Sequence, residues 1–120
     1  MSDPVSHPHH YNAHASGVEA ITLCELLSFN LGNAVKYLMR ADHKGKRAED
    51  RAKAAWYLRR EAARRRRAWT DMVAWQVAGK IATHEHPATT LGQLLLLIRD
   101  DLATAPALLS LAEMIERGDP

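Results

Sequence analysis

From residue 16 onward, apolar side chains return every third or fourth position, the spacing of one face of an α-helix. Ser16 and Glu19 form an S-x-x-E capping box, and Val18, Ile21, Cys24 and Leu27 follow on one face, predicting a first helix that ends near Phe29. A second helix is expected from about Leu31 to Ala41. In it Leu31, Ala34, Val35 and Leu38 share one stripe, while Asn33, Lys36, Tyr37 and Arg40 repeat the same spacing on another. One stripe can be buried while the other faces something polar. Gly45 in "DHKGKR" breaks the pattern, and a third helix is expected near Ala48. Ala48, Ala52, Ala55 and Ala62 form its small-residue face; Glu49 or Asp50, Lys53, Trp56 or Tyr57, and Arg60 lie along a different side. Helices joined by so short a loop are antiparallel neighbours, which aims both polar stripes at a common cleft.

No breaker stands between Ala48 and Ile81, where the register passes through four arginines and resumes at Trp69, Val73, Val77 and Ile81. This predicts either one long helix or two with a bend. "THEHPATT" reads as a loop, Thr90 and Gln93 as a T-x-x-Q cap, and "LGQLLLLIRDDL" as a strongly apolar helix. Thr104 as cap, Pro106 in the first turn and Gly118 after the last delimit a final helix. No alternating strand pattern, internal repeat or low-complexity tract occurs. The expectation is an all-α bundle of about five helices in a single domain. Residues 1–15, with two prolines and four histidines, are expected to form an extended arm, residues 16–67 a helical phosphate-binding core, and residues 68–120 a helical part for packing and oligomerisation. "LLLLI" at 94–98 reads either as subunit contact or as the core of a four- or five-helix bundle.

Composition adds bounds. A chain of 120 residues, 47% hydrophobic and 25% charged, suits one globular domain with a modest core. The only cysteine is Cys24, so no intramolecular disulfide is possible, and no charged leader or apolar run of membrane-spanning length appears. A soluble cytoplasmic protein with no membrane partner is expected.

Charge changes the picture more. The formal net charge of +2 hides a segregation: residues 1–35 have three acids and no Lys or Arg, residues 36–67 have 13 cations against four acids, and residues 68–120 have three against seven. The balances are −3, +9 and −4. So concentrated a positive segment implies a polyanionic partner, either nucleotide phosphates or a nucleic-acid backbone.

Lys36, Arg40, Lys44 and Lys53 fall within reach of one another across the short loop. Phosphoryl transfer needs such groups, because the protein must hold two anionic groups in line and stabilise charge on the moving oxygens. Glu49 and Asp50 offer a place for a magnesium ion or a means to orient a hydroxyl; equally, they stabilise a helix N-terminus. Tyr37, Trp56 and Tyr57 are candidates to stack on a base, with Trp56 assigned to the core. Gly32 and Asn33 are both poor helix formers. They mark either a functional demand or a close helix crossing followed by a late cap.

The histidines His7, His9, His10, His14, His84 and His86 lack a cysteine partner or an H-E-x-x-H helix, so no metal site is assigned. The run Arg59 to Arg67 exceeds one helical turn, so its arginines cannot share a face; solvent exposure and salt-dependent nucleic-acid binding are its two readings. There is no P-loop, no G-x-G-x-x-G and no Ser-His-Asp or Cys-His arrangement.

"HPHHYN" (7–12), "GVEAI" (17–21), "LGNAVKYLMRADHK" (31–44) and "EDRAKAAWYL" (49–58) resemble a small phage-encoded family of largely unknown function that includes a nucleotide kinase. The resemblance implies an all-helical kinase without a P-loop. Such an enzyme phosphorylates deoxynucleoside monophosphates such as those of guanine and thymine, draws on a triphosphate donor such as ATP, and works as a homo-oligomer. Carried over by motif, the catalytic candidates are Lys36, Arg40, Asp50 and Lys53, and the nucleotide-binding candidates are His10, Tyr11, Asn12, Asn33, Tyr37, Lys44 and Tyr57. In this reading Lys36, Arg40 and Lys53 clamp phosphates, His10 to Asn12 close the site, and Asp50 orients the acceptor or a metal. Arg51 departs from the pattern, which usually has leucine there. The alternatives are a nucleotide-binding protein without turnover and a basic nucleic-acid-binding accessory protein working through Arg59 to Arg67. A helical pyrophosphatase ranks last for want of paired E-x-x-E stripes.

Overall fold

The computed structural model describes residues 14–41, 45–64 and 70–120, and among them the chain forms six helices and no strand. These are α1 (Ala20–Cys24), α2 (Phe29–Ala41), α3 (Arg47–Arg64), α4 (Met72–Ala82), α5 (Thr90–Arg99) and α6 (Ala105–Glu116). The fold is all-α. α3 is its axis, packed along α2 on one side and α6 on the other; α5 pairs with α4 and touches α6 and α2, and α1 lies on α2.

Most helices begin where a short polar side chain satisfies an otherwise unpaired backbone N–H. Ser28 opens α2, its Oγ accepting from Leu31 N at 3.2 Å and its carbonyl from Gly32 N at 2.8 Å. Asp71, Thr89 and Thr104 do the same for α4, α5 and α6. Two expected caps move. Ser16 bonds to Val18 N and His14, not into a capping box, and Glu19 supplies no side-chain cap, so α1 has only five residues and Phe29 begins the next helix. At α5 the cap is Thr89, not Thr90; Thr90 turns inward, and Gln93 donates to the Ala88 carbonyl at 2.9 Å. Residues 47–82 form two helices, with residues 65–69 outside the described set.

The expected stripe Leu31, Ala34, Val35 and Leu38 is buried throughout. The alanine stripe of α3 is not: Ala48 and Ala52 are exposed, and the inward face is Asp50, Arg51, Ala54, Ala55, Leu58 and Glu61. α4 likewise buries Ala74, Ala78 and Ile81 and leaves Val73 exposed. The apolar run of α5 is accommodated within the chain, with Leu94, Leu95 and Ile98 fully buried and Leu96 and Leu97 partly so. Among the described residues no helix is long and apolar enough to cross a membrane.

Gly32 answers its own puzzle. A Cβ there would lie 2.9 Å from the Cys24 carbonyl oxygen, so glycine is what lets α2 lie against the end of α1. Arg51 forms a cross-tie. Its guanidinium donates to Thr90 Oγ1 at 3.3 Å and to the Asp119 carbonyl, while Thr90 N donates to the Pro120 carbonyl at 2.7 Å. α3, α5 and residues 119–120 are thereby joined.

Candidate anion-binding site on the second and third helices

Because α2 and α3 run antiparallel, their polar stripes meet residue by residue. At one end Arg40 Nε donates to Asp50 Oδ2 at 3.3 Å; at the other Phe29 meets Tyr57 edge-on with ring centroids 5.9 Å apart. Between them Tyr37 and Tyr57 lie nearly parallel, 5.9 Å apart and 11° from coplanar. Three cations surround the Tyr37 ring: Lys36 Nζ at 4.2 Å from its centroid, Lys53 Nζ at 5.2 Å and the Arg40 guanidinium carbon at 5.5 Å.

The ring's negative face attracts each cation but cancels no charge. Among the described residues the matching carboxylates are Glu49, 3.3 Å from Lys53, and the buried Asp50, so three cations are set against two anions there. The Lys53 ammonium, first by its hydrogen bond and then by its charge, holds the Glu49 carboxyl below its usual range. Among the described residues Lys36 has no ion pair, and its neighbour across the ring is another cation. The arrangement attracts an added anion.

Asp50 does not lie on this surface. It is 0% exposed, gives one oxygen to Arg40, and leaves Oδ1 without a hydrogen-bond partner among the described residues. It therefore acts through Arg40, whose guanidinium it orients. A second buried carboxylate, Glu61, does comparable work at the far end. It accepts from Ser28 Oγ at 2.7 Å and Asn30 Nδ2 at 3.5 Å, and it pairs with Arg64 Nε at 3.2 Å. Since Ser28 caps α2, Glu61 ties the start of α2 to α3 and so sets which residues of the stripes meet. Sequence reasoning missed Ser28 and Glu61. The only available signal was a serine just ahead of a helical stripe, and Glu61 itself is hidden in an arginine-rich run.

Of the predicted site residues, the structure brings together Lys36, Tyr37, Arg40, Asp50, Lys53 and Tyr57. Asn33 lies to one side. Its Nδ2 donates to the Phe29 carbonyl at 2.7 Å, one turn back, so it is neither a cap nor an orphan. With Lys36 it lines a groove of about 230 Å³ between α1 and α2 that also includes Ile21, Cys24 and Phe29. Burial pushes the Cys24 thiol up to about 12, against a smaller opposing pull from Lys36. His10, Tyr11, Asn12 and Lys44 lie outside the described residues.

One aromatic assignment is overturned. Trp56 is 57% exposed and meets Tyr57 edge-on at 5.0 Å, so it is a surface residue, and the half-buried Tyr57 packs in its place. The arginine run divides as its length requires. Arg59 pairs with Glu116 of α6, Arg60 lies 5.8 Å over the Trp56 ring, and Arg64 pairs with Glu61, while Arg65 to Arg67 are outside the described residues. A larger groove of about 530 Å³, lined by Arg47, Ala48, Arg51, Ile115 and Glu116, follows another side of α3 and contains none of the predicted site residues. His14 Nε2 contacts Glu85 Oε1 at 2.5 Å, but no group of three or more His, Cys, Asp or Glu placed to hold a metal occurs among the described residues.

The family model of a protein of unknown function, DUF3310, matches residues 5–59, the stretch that supplies α1, α2 and the site-bearing part of α3. No curated protein and no solved structure matches the chain.

Proposed function

We propose that the α2–α3 face holds the phosphates of a nucleoside monophosphate, and that the protein is a nucleotide kinase-like phosphotransferase using a triphosphate donor such as ATP. The convergence of Lys36, Arg40 and Lys53, from two helices, on one tyrosine ring carries this reading. Phosphoryl transfer depends on positioning and on stabilising negative charge, and preorganised cations supply both. Lys36 and Lys53 act as mobile point charges on phosphate oxygens, Arg40 is aimed by the buried Asp50, and the Tyr37–Tyr57 pair offers a flat wall for a base.

The test is to incubate the purified chain with ATP, magnesium and a panel of ribo- and deoxynucleoside monophosphates, to repeat it with EDTA, and to separate the products by chromatography. A diphosphate product is expected, falling at least about a hundredfold in Lys36→Ala and in Lys53→Ala while helical circular dichroism is unchanged. Undiminished turnover in both variants overturns the assignment. A second reading, nucleotide binding without turnover, is favoured by one observation: the exposed carboxylate of the face, Glu49, is already paired with Lys53, and the nearby Asp50 is buried beneath Arg40. A thermal shift with one nucleotide and no product after prolonged incubation assigns that reading.

A further inference from the structure

The same face carries more aromatic surface than a phosphate clamp uses. Phe29 is 75% exposed and Trp56 57%, and both stand edge-on to Tyr57, which joins them into one ridge. Ile21, 55% exposed, extends the ridge across the α1–α2 groove that it lines with Phe29. A contiguous apolar surface of this kind, rimmed by polar groups, marks a contact with something else. The rim here is mainly cationic: Lys36, Arg40 and Lys53 surround Tyr37 and Arg60 lies over Trp56, against Glu49 on Lys53 and Glu25 in the groove beside Ile21.

Charge decides which occupant fits. A second copy docking through the same patch would set these four cations against their own counterparts, which disfavours self-association through this surface. A partner with flat apolar faces and a negative charge at each step satisfies the rings and the cations together. We propose that the Phe29–Tyr57–Trp56 ridge is a platform for single-stranded polynucleotide, with successive bases stacking on Phe29 and Trp56 and the phosphates passing Lys36, Lys53 and Arg60. Exposed aromatics beside a cationic track are the equipment of sequence-tolerant single-strand binding, and a duplex cannot use them because its bases are already stacked. The inference goes beyond the mononucleotide reading. A lone monophosphate is held at Tyr37, whereas a strand also requires Trp56, Phe29 and Arg60.

The experiment follows fluorescence anisotropy of fluorescein-labelled oligo-dT and oligo-U, each of about 12 nucleotides, titrated with the full chain at about 50 and 200 mM salt. Saturable binding that weakens with salt is expected, with a log–log slope near −2 for about three phosphate contacts. The two oligomers separate DNA from RNA as the source of the strand. Trp56→Ala and Phe29→Ala, both at exposed positions, should each weaken binding by about 5- to 100-fold while helical circular dichroism and the mononucleotide thermal shift persist. Lys36→Ala should weaken both. No anisotropy change with either oligomer up to about 100 μM protein at the lower salt overturns the proposal, as does binding that both aromatic variants leave intact. A chain that sediments as a dimer, becomes monomeric on Trp56→Ala and ignores both oligomers also overturns it, and assigns the ridge to a second copy. Diphosphate product without oligonucleotide binding sinks this inference and leaves the kinase reading standing.

Discussion

The contact between α2 and α3 and the packing of α4, α5 and α6 are made of different materials. Across α2 and α3 the interior contains Asn30, Asp50 and Glu61 beside its apolar residues, with partners drawn from Ser28, Arg40 and Arg64. Among α4 to α6 it is mainly apolar, with Ala74, Ala78, Ile81, Leu94, Leu95, Ile98, Leu108, Leu111, Ala112 and Ile115, and Thr90 at the start of α5, tied to Arg51, is the polar exception in these helices. Apolar packing is strong but weakly directional, and it tolerates sliding as long as volume is conserved. A buried carboxylate demands particular donors at particular places and is costly without them. The second kind of contact determines register, and register is what the α2–α3 face needs if Tyr37, Lys36 and Lys53 are to meet.

Four substitutions and the titration of one thiol test that difference. The largest factor concerns Cys24, at the α1–α2 contact, whose thiol burial raises from 9.0 to about 12. At pH 8 its thiolate fraction, and with it the rate of labelling by a thiol reagent, should be on the order of a thousandfold below that of the unfolded chain. Labelling at the unfolded rate would show that the α1–α2 contact does not shield it. The sign for stability follows: between pH 9 and 12 the unfolded chain releases a proton that the folded chain keeps, so stability declines across that window. In the apolar half, Leu94→Ala should cost about 2–5 kcal/mol in urea unfolding, because nothing polar marks where a neighbour should collapse into the space. In the polar half, Glu61→Gln keeps the shape and loses the charge, and about 1–3 kcal/mol is expected. The same variant should weaken nucleotide binding although Glu61 touches no ligand; unaltered binding would detach register from the site. Smallest, Lys36→Ala and Lys53→Ala should change stability by no more than about 0.5 kcal/mol, since these cations serve the surface and not the interior.

The parts legible in the chain are those governed by neighbours three and four residues apart. Both stripes of α2 were readable, and so was their meeting with α3, because a helix period and a short loop determine them locally. Thr104 was readable as a cap for the same reason. The inward face of α3 was not. Alanines at 48, 52, 55 and 62 keep a helical period, whereas the face that is buried contains Asp50, Arg51 and Glu61, which hydropathy places in water. The choice between Trp56 and Tyr57 turned on that same rotation of one residue. Thr89 and Thr90 are equivalent as caps by composition; an inward-turned arginine from another helix separates their roles.

The sequence by itself determined the helical class, the break at Gly45, the segregation of charge into residues 36–67 and the side-by-side placement of Lys36, Tyr37 and Arg40. The tertiary structure decided which charges are withdrawn from water and whom they answer to. Ser28 finds Glu61 across 33 residues and Arg51 finds Thr90 across 39. Such pairs leave no periodic trace, because a buried ion's partner is selected by whichever helix packs against it, and only the packed bundle brings that helix near.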